Sequence, residues 1–268
     1  GFYGGAYNGS AEFHFHKASL ALKKVVSKTP LQLNHNLSKK YQCNVYLKRE
    51  DLQIVRSYKL RGAYNMMSSL SPEKLRQGVV CASAGNHAQG FAYSCKKLNT
   101  KGVVFMPVIT PKQKVNQVKM FGEDFIEIRL TGDTFDDCAI AAKQFTEENG
   151  MSFIPPFDDY RIIEGQGTVA LEILEDQSEI DFLFIPVGGG GLSAGAGSYF
   201  KTYSPRTRII GLEPEGAPSM HTALQAGYPV TLEQIDRFVD GAAVKRVGDL
   251  TFSICREVLD DMHLVPEG

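Results

Sequence analysis

Hydrophobic positions between residues 79 and 154 alternate between strand-like runs and helix-like periods. Short apolar runs indicate buried strands, and apolar residues that recur every three to four positions indicate helices. The predicted strands are 79–84, 102–108, 124–130 and 152–154, and the predicted helices are 86–98, 111–121 and 135–148. Strands that alternate with helices in this way predict a parallel sheet with right-handed crossovers.

Pro155 and Pro156 interrupt this order, and a second set of elements follows them. The second set is predicted as a helix at 167–174, a strand at 181–187, a helix at 192–203 and a strand at 208–213. Upstream, the same patterns predict a helix at 17–26 and a strand at 43–47, whereas residues 1–16 carry no period and are predicted to be a tail. The fold class is therefore α/β, with two α/β blocks.

Lys59 lies where a cation is electrostatically disfavoured. Ser57 is a good N-cap for a helix that runs through Leu60 and Ala63 to Leu70, which puts Lys59 in the first turn. The positive end of the helix dipole there favours the neutral amine. A lysine that attacks a carbonyl carbon needs this lowered pKa, although a solvated lysine at a helix start is the plainer interpretation of K-x-R-G alone.

The loop S-A-G-N-H-A-Q-G, residues 83–90, joins a predicted strand to its helix. Ligands of parallel α/β sheets bind beyond the carboxyl ends of strands, and a helix N-terminus offers unpaired N–H groups to an anion. Asn86 could donate its amide to a phenolate or carbonyl oxygen. It could equally be a simple N-cap, with Gly85 as a turn residue.

Four consecutive glycines, at positions 188–191, separate the predicted strand 181–187 from the helix at 192–203. Four glycines cost several kcal/mol of backbone entropy, at roughly 0.5 to 1 kcal/mol each, so a turn alone does not explain them. Successive N–H groups backed by a helix dipole favour a phosphate site.

The same loop also supports a different hypothesis. Gly189, Gly191 and Ala194 fit G-x-G-x-x-A, and Glu213 ends the next strand about twenty residues later, as in a dinucleotide-binding fingerprint. A nicotinamide-dependent oxidoreductase would leave Lys59 and the 83–90 loop without a role. A pyridoxal phosphate enzyme would use all three features.

Composition narrows the class of partner. The 268 residues carry 29 Lys and Arg against 30 Asp and Glu, a net charge of −1, which argues against nucleic acid or an anionic membrane as a partner. No apolar run is long enough to suggest a membrane span. Five widely spaced cysteines without a C-x-x-C pair suit reduced thiols in a cytoplasmic protein. A small molecule is the expected ligand, and no metal site is predicted.

Several segments together resemble the catalytic domain of the threonine dehydratases, or threonine ammonia-lyases, among the tryptophan-synthase-β-like pyridoxal phosphate enzymes. The segments are K-R-E-D-L-Q, S-Y-K-L-R-G-A, S-A-G-N-H-A-Q-G, G-G-G-G-L and D-G-A-A-V-K-R-V-G-D, and the resemblance extends from about Lys17 to the end. It implies pyridoxal 5'-phosphate as cofactor and a small domain, 81–158, inserted in a large domain formed by 1–80 and 159–268.

The resemblance also implies site residues. Lys59 would be the catalytic residue that holds the cofactor as a Schiff base, and Asn86 would contact the ring hydroxyl. The phosphate would be held by Gly188, Gly189, Gly190, Gly191 and Leu192. The substrate carboxylate would be received by Ser83, Gly85, Asn86 and His87.

The activity implied is deamination of L-threonine, and of L-serine, by β-elimination to 2-oxobutanoate or pyruvate and ammonia, in isoleucine biosynthesis by a homo-oligomer. In the similar serine racemases the loop reads S-S-G-N-H, and the second serine supplies a proton that Ala84 cannot. Relatives also have a Ser, Cys or Thr that faces the pyridine nitrogen, which is not found after Gly191. The large domain is therefore expected to be truncated, and an inactive cofactor-binding module is a third hypothesis.

Overall fold

The computed structural model describes residues 13–235 and 243–266. The helices in this part of the chain are α1 Phe15–Leu22, α2 His35–Tyr41, α3 Lys59–Ser68, α4 Pro72–Gln77, α5 Asn86–Leu98, α6 Lys112–Gly122, α7 Phe135–Glu148, α8 Tyr160–Asp176, α9 Gly191–Tyr203, α10 Ser219–Ala226 and α11 Asp249–Val258. The strands are β1 Leu31–Leu33, β2 Tyr46–Lys48, β3 Val79–Ala82, β4 Gly102–Met106, β5 Ile126–Leu130, β6 Ser152–Phe153, β7 Phe182–Pro186, β8 Arg208–Pro214 and β9 Asp261–Val265.

Two parallel sheets carry the fold. One has the strand order β5-β4-β3-β6, and the other has the order β7-β8-β9. A separate two-stranded sheet pairs β1 with β2 in antiparallel fashion, with α2 between them in the chain. The parallel pairing predicted from the alternation of strands and helices is confirmed. The carboxyl ends of β3 and β7 lead directly into the two loops that the sequence analysis selected.

Helix α8 is much longer than predicted, since it begins at Tyr160 and not at 167. Asp159 caps it by accepting a hydrogen bond from the N–H of Arg161, at 2.7 Å. Gly165 lies inside the helix, where a Cβ would come within 2.5 Å of the Arg61 carbonyl oxygen. Such glycines allow α8 to pack closely on α3, and they do not mark a loop.

The predicted tail of residues 1–16 is wrong in its last part. Phe13 and Phe15 are 7% and 4% exposed and belong to the core beside β7 and β8, and α1 begins at Phe15. Residues 1–12 lie outside the described residues, as do Asp240 to Ala242 of the D-G-A-A-V-K-R-V-G-D segment. Within the described ranges, none of the helices has the length and apolar character needed to span a bilayer.

Helices α10 and α11 and strand β9 were not predicted. Apolar residues of α11 recur at helical spacing, at Phe252, Cys255 and Val258, and all three are buried. The helix packs against α9. It therefore lies behind the glycine loop, where it matters for the site.

Candidate active site

Lys59 lies in the first turn of α3, as predicted, and is its first residue, but Ser57 is not the N-cap. The N-cap position is occupied by Tyr58, one residue later, which makes no side-chain cap. The Ser57 hydroxyl still accepts a hydrogen bond from the N–H of Lys59, at 3.3 Å. Ser57 thus supports the helix start from one position further out.

Burial lowers the pKa of Lys59 to about 8. Its Nζ donates to the carbonyl oxygen of Pro156 at 3.2 Å and lies 5.5 Å from the centre of the Tyr58 ring. No carboxylate among the described residues pairs with it in a salt bridge. The neutral amine is therefore accessible near neutral pH, and desolvation by burial is a cause that the sequence argument did not consider.

A buried ion cluster fixes α3 beneath Lys59. The Arg61 guanidinium is fully buried between two carboxylates, with contacts of 2.6 Å to Glu50 and 2.6 Å to Glu172. Lys48 donates to the same Glu172 at 2.8 Å. The cluster has two positive and two negative charges, so its burial is compensated. The cluster gives a structural role to Lys48 and Glu50 of the K-R-E-D-L-Q segment and to Arg61 of K-x-R-G.

The 83–90 loop closes on itself through Ser83. The Ser83 hydroxyl accepts hydrogen bonds from the N–H groups of Gly85, at 3.1 Å, and Ala88, at 3.3 Å. Gly85 is the N-cap of α5, which leaves Asn86 as an exposed first helical residue and not as the N-cap. A Cβ on Gly85 would meet nothing within 4 Å, so the space beside it is open.

His87 and Gly90 tie this loop to its surroundings. The buried imidazole of His87 bonds through Nε2 to the Ile154 carbonyl, at 2.9 Å. Burial, and then the nearby charge of Lys59, lower the pKa of His87 to about 4. Since a carbonyl oxygen only accepts, Nε2 carries the proton in this bond. A Cβ on Gly90 would lie 2.9 Å from the backbone nitrogen of Leu60, so Gly90 permits α5 to contact the first turn of α3.

The glycine loop has a demanding backbone. Gly190 is the N-cap of α9 and has a φ of +101°, a backbone conformation that residues with a side chain rarely adopt. A Cβ on Gly189 would overlap the ring of Phe157, and one on Gly191 would approach Phe157 at 3.1 Å. Gly188 and Leu192 flank these residues, and Leu192 packs its side chain on the core. Close packing by Phe157 is a reason for these glycines that the sequence argument did not consider.

Residues 154–158 join the separate parts of the site, and the sequence analysis missed their role. Ile154 accepts from His87, Pro156 accepts from Lys59, and Phe157 packs on Gly189 and Gly191. The segment therefore brings Lys59, the 83–90 loop and the glycine loop to one place. The only signal in the sequence was the Pro155-Pro156 break at the junction of the two blocks.

Glu213 does not present its carboxylate to a ligand. It is 1% exposed, and its oxygens accept from the N–H groups of Met220 and His221, both at 2.9 Å. Burial raises its pKa to about 7. In a dinucleotide-binding site this acid would bind the ribose of the cofactor. The nicotinamide hypothesis therefore keeps its glycine pattern but loses the acidic residue that it needs.

The residues present fit pyridoxal phosphate. The aldehyde needs an amine that can be neutral, which Lys59 provides, and the phosphate needs unpaired N–H groups. Among the described residues, the hydrogen bonds include none from the N–H groups of Gly189, Gly190 or Gly191. Within the same ranges no group of three or more His, Cys, Asp or Glu side chains could hold a metal ion.

The family assignment agrees with this chemistry. Residues 22–268 match the family described as pyridoxal-phosphate dependent enzyme. The chain therefore belongs to the pyridoxal-phosphate dependent enzymes of this family, and pyridoxal phosphate is its cofactor, as the sequence analysis predicted. The predicted tryptophan-synthase-β-like α/β fold is confirmed as well.

Within that family the chain is similar to named threonine dehydratases. It is 57% identical over 252 residues to the biosynthetic L-threonine dehydratase IlvA of Halalkalibacterium halodurans, covering 94% of this chain and 61% of that protein. The processed threonine deaminase isoform 2 of Solanum lycopersicum is 46% identical with a TM-score of 0.92, over 97% of this chain and 76% of that one. The serine racemase of Dictyostelium discoideum is 32% identical with a TM-score of 0.87, over 96% and 81%. The chain thus spans about three fifths of the curated relatives that it matches.

Proposed function

We propose that this chain deaminates L-threonine, and L-serine by the same route, with pyridoxal phosphate as cofactor. The observation that carries the proposal is Lys59, an amine whose pKa is lowered to about 8 and whose Nζ is held at the Pro156 carbonyl, beside the two anion-binding loops. The similarity to threonine dehydratases supports the same substrate. Those relatives are named biosynthetic, which suits a role in isoleucine biosynthesis.

In this proposal Lys59 holds the aldehyde carbon of the cofactor. The N–H groups of Gly188, Gly189, Gly190, Gly191 and Leu192 bind its phosphate, because the dipole of α9 and the absence of side chains favour an anion there. Asn86, exposed at the start of α5, donates its amide to the ring hydroxyl. When bound, the cofactor supplies the sink for the electron pair left at Cα.

The substrate carboxylate is assigned to the start of α5. The hydroxyl oxygen of Ser83 accepts hydrogen bonds from two N–H groups, so the O–H proton is available to donate to a carboxylate oxygen. Gly85 leaves open space beside it, and Asn86 is exposed. The His87 ring is engaged by Ile154, so His87 contributes its backbone N–H and not its imidazole.

Lys59 is also the base. With cofactor and substrate bound, the freed Nζ of Lys59 would accept the Cα proton and return a proton to the β-hydroxyl, which would leave as water. The released enamine gains water and loses ammonia, which yields 2-oxobutanoate from threonine or pyruvate from serine. A pKa near 8 suits a base that works near neutral pH, because an amine with an ordinary pKa would stay protonated.

Elimination is favoured over racemisation at Ala84. A racemase needs an acid on the face opposite the lysine, and the methyl group of Ala84 neither donates nor accepts a proton. Ala84 instead packs against the core around β3 and β4. We also propose the domain organisation implied by the resemblance, in which a small domain at 81–158 is inserted between 1–80 and 159–268, and we propose that the chain assembles as a homo-oligomer.

The five free cysteines suit a reducing compartment, and we place the protein in the cytoplasm on this basis. The catalytic proposal does not depend on this placement.

Product analysis tests the proposed reaction. The chain with pyridoxal phosphate should release ammonia and 2-oxobutanoate from L-threonine in equal amounts, and Lys59→Ala should release neither. Release of D-allo-threonine from L-threonine, or of D-serine from L-serine, in place of the oxo acids would show that the chain is a racemase. Bound cofactor without any product would favour the inactive module.

A further inference from the structure

The carbonyl groups of the glycine loop are anchored from behind. Thr251, in the first turn of α11, donates its hydroxyl to the carbonyl oxygen of Gly189, at 2.6 Å. The carbonyl of Gly190 accepts from the N–H of Ala194, at 2.8 Å, and from the Ser193 hydroxyl, at 3.2 Å. Both peptide groups are thus fixed through their oxygen atoms.

Fixing the oxygen also sets the direction of the adjacent N–H. The described residues contain no cis peptide bond, so each carbonyl and the following N–H point in opposite directions. With the Gly189 oxygen turned toward Thr251, the N–H of Gly190 points away from α11. Glycine has little steric resistance to rotation of the peptide plane, so this orientation depends on the hydrogen bond.

Thr251 is itself held in place. Its side chain is fully buried, and its oxygen accepts from the N–H of Gly248 at 3.1 Å. One oxygen of Asp158 accepts from the N–H groups of Leu250 and Thr251, both at 3.0 Å. A hydroxyl has one proton, and the Gly189 oxygen is its nearest acceptor. The hydroxyl therefore links α11 to the glycine loop in one defined direction.

We propose that Thr251 is a positioning residue for phosphate binding, because its hydroxyl holds the Gly189–Gly190 peptide with the N–H of Gly190 turned outward. This inference rests on the assignment of the cofactor phosphate to the glycine loop. Thr251 does not contact the phosphate in this proposal. It acts through the peptide, so loss of its hydroxyl lowers the contribution of the phosphate to cofactor affinity. The contribution of the rest of the cofactor to that affinity stays unchanged.

Comparison of two ligands isolates that contribution. Apo-protein is titrated with pyridoxal 5'-phosphate and with pyridoxal, which lacks the phosphate, and both dissociation constants are measured by absorbance. The ratio compared is the dissociation constant of pyridoxal divided by that of pyridoxal 5'-phosphate. Thr251→Val keeps the shape and removes the hydroxyl, and we expect the ratio to fall about tenfold while the pyridoxal constant stays unchanged. Thr251→Ser keeps the hydroxyl and should keep the ratio within about twofold. Ser253→Ala, which removes an exposed hydroxyl on the same helix, is the matched control.

Each outcome bears on the proposal. An unchanged ratio in Thr251→Val, or equal losses for both ligands, would overturn the role of Thr251. If Thr251→Val does not fold, as judged by thermal melting of the apo-protein, Thr251→Cys replaces it, and its weaker donor should give an intermediate ratio. A ratio near one in the unchanged chain would instead overturn the phosphate assignment itself, so the two failures are distinguishable.

Discussion

The starts of α5 and α9 are both proposed to bind an anion, but they are built differently. Each follows the carboxyl end of a parallel strand and begins beside a glycine. The start of α5 is organised by Ser83, whose partners Gly85 and Ala88 lie two and five residues away. The start of α9 is organised from outside, by the Phe157 ring and by the hydroxyl of Thr251.

The difference lies in what surrounds the backbone. Beside Gly85 there is open space, which leaves room for a ligand. Beside Gly189 a side chain would meet the Phe157 ring, and the loop is packed on both sides. A local motif therefore forms the start of α5, whereas tertiary packing forms the start of α9. Substitutions at the two helix starts should therefore differ in how much they lower the unfolding free energy.

The largest effect is expected from alanine at the packed glycine. Gly189→Ala places a methyl group into the Phe157 ring, so we expect a loss of about 3 kcal/mol in unfolding free energy and loss of cofactor retention on dialysis. Gly85→Ala, the matched control, enters open space and should change the unfolding free energy of the apo-protein by less than about 1 kcal/mol. Denaturant unfolding and absorbance measure both.

A double substitution shows whether Phe157 is the cause. Phe157→Ala removes the ring, and in Gly189→Ala/Phe157→Ala the alanine should cost much less than it does alone. Such coupling is expected only between residues in contact. If Gly189→Ala is as harmful without the ring as with it, the packing account of this loop is wrong.

A smaller, pH-dependent effect is expected from Glu213, which contributes to the raised pKa of Cys255 behind the glycine loop. Burial raises the pKa of Glu213 to about 7, so the folded state binds the proton more tightly than the unfolded state does. The unfolding free energy should therefore fall as the pH rises from about 4.5 to about 7, by on the order of 2 kcal/mol. Glu213→Gln should remove this decline.

Glu215→Gln is the control, because Glu215 is exposed two residues later. The comparison uses the slope of unfolding free energy against pH in apo-protein. An equal slope in all three proteins would mean that Glu213 is not the titrating group.

The smallest effect is expected at the local motif. Ser83→Ala leaves two N–H groups of the α5 start without their acceptor, and we expect a loss of about 1 kcal/mol in unfolding free energy. Ser69→Ala, which removes an exposed hydroxyl that only donates, should have almost no effect. A cost at Ser83 as large as at Gly189 would erase the distinction between the two starts.

This contrast also explains what could be predicted from the sequence. The period of apolar residues gave the parallel strands and the helices between them, and both loops at strand ends were recognised from their letters. Helix α8 was predicted to begin at 167, whereas it begins at Tyr160, and Gly165 inside it permits contact with Arg61 of α3. Such a contact joins residues about a hundred positions apart, so the local pattern does not contain it.

The partners of the glycine loop were missed for the same reason. Phe157 follows a proline pair that indicated only a break, and Thr251 lies in a helix that was not predicted. The acid Glu213 fitted a dinucleotide fingerprint by spacing, but its carboxylate caps α10. Spacing gives the position of a side chain along the chain and not the direction in which it points.

Reductive trapping tests the central assignment most directly. Borohydride treatment of the chain with bound pyridoxal phosphate should fix the cofactor on Lys59, and peptide mapping by mass spectrometry should find the label on that residue alone. This result is expected because Lys59 is the amine with a pKa near 8, and its Nζ is held by the carbonyl of Pro156, in the segment that joins the 83–90 loop and the glycine loop. A label on Lys48, on Lys24 or on no lysine would contradict the account.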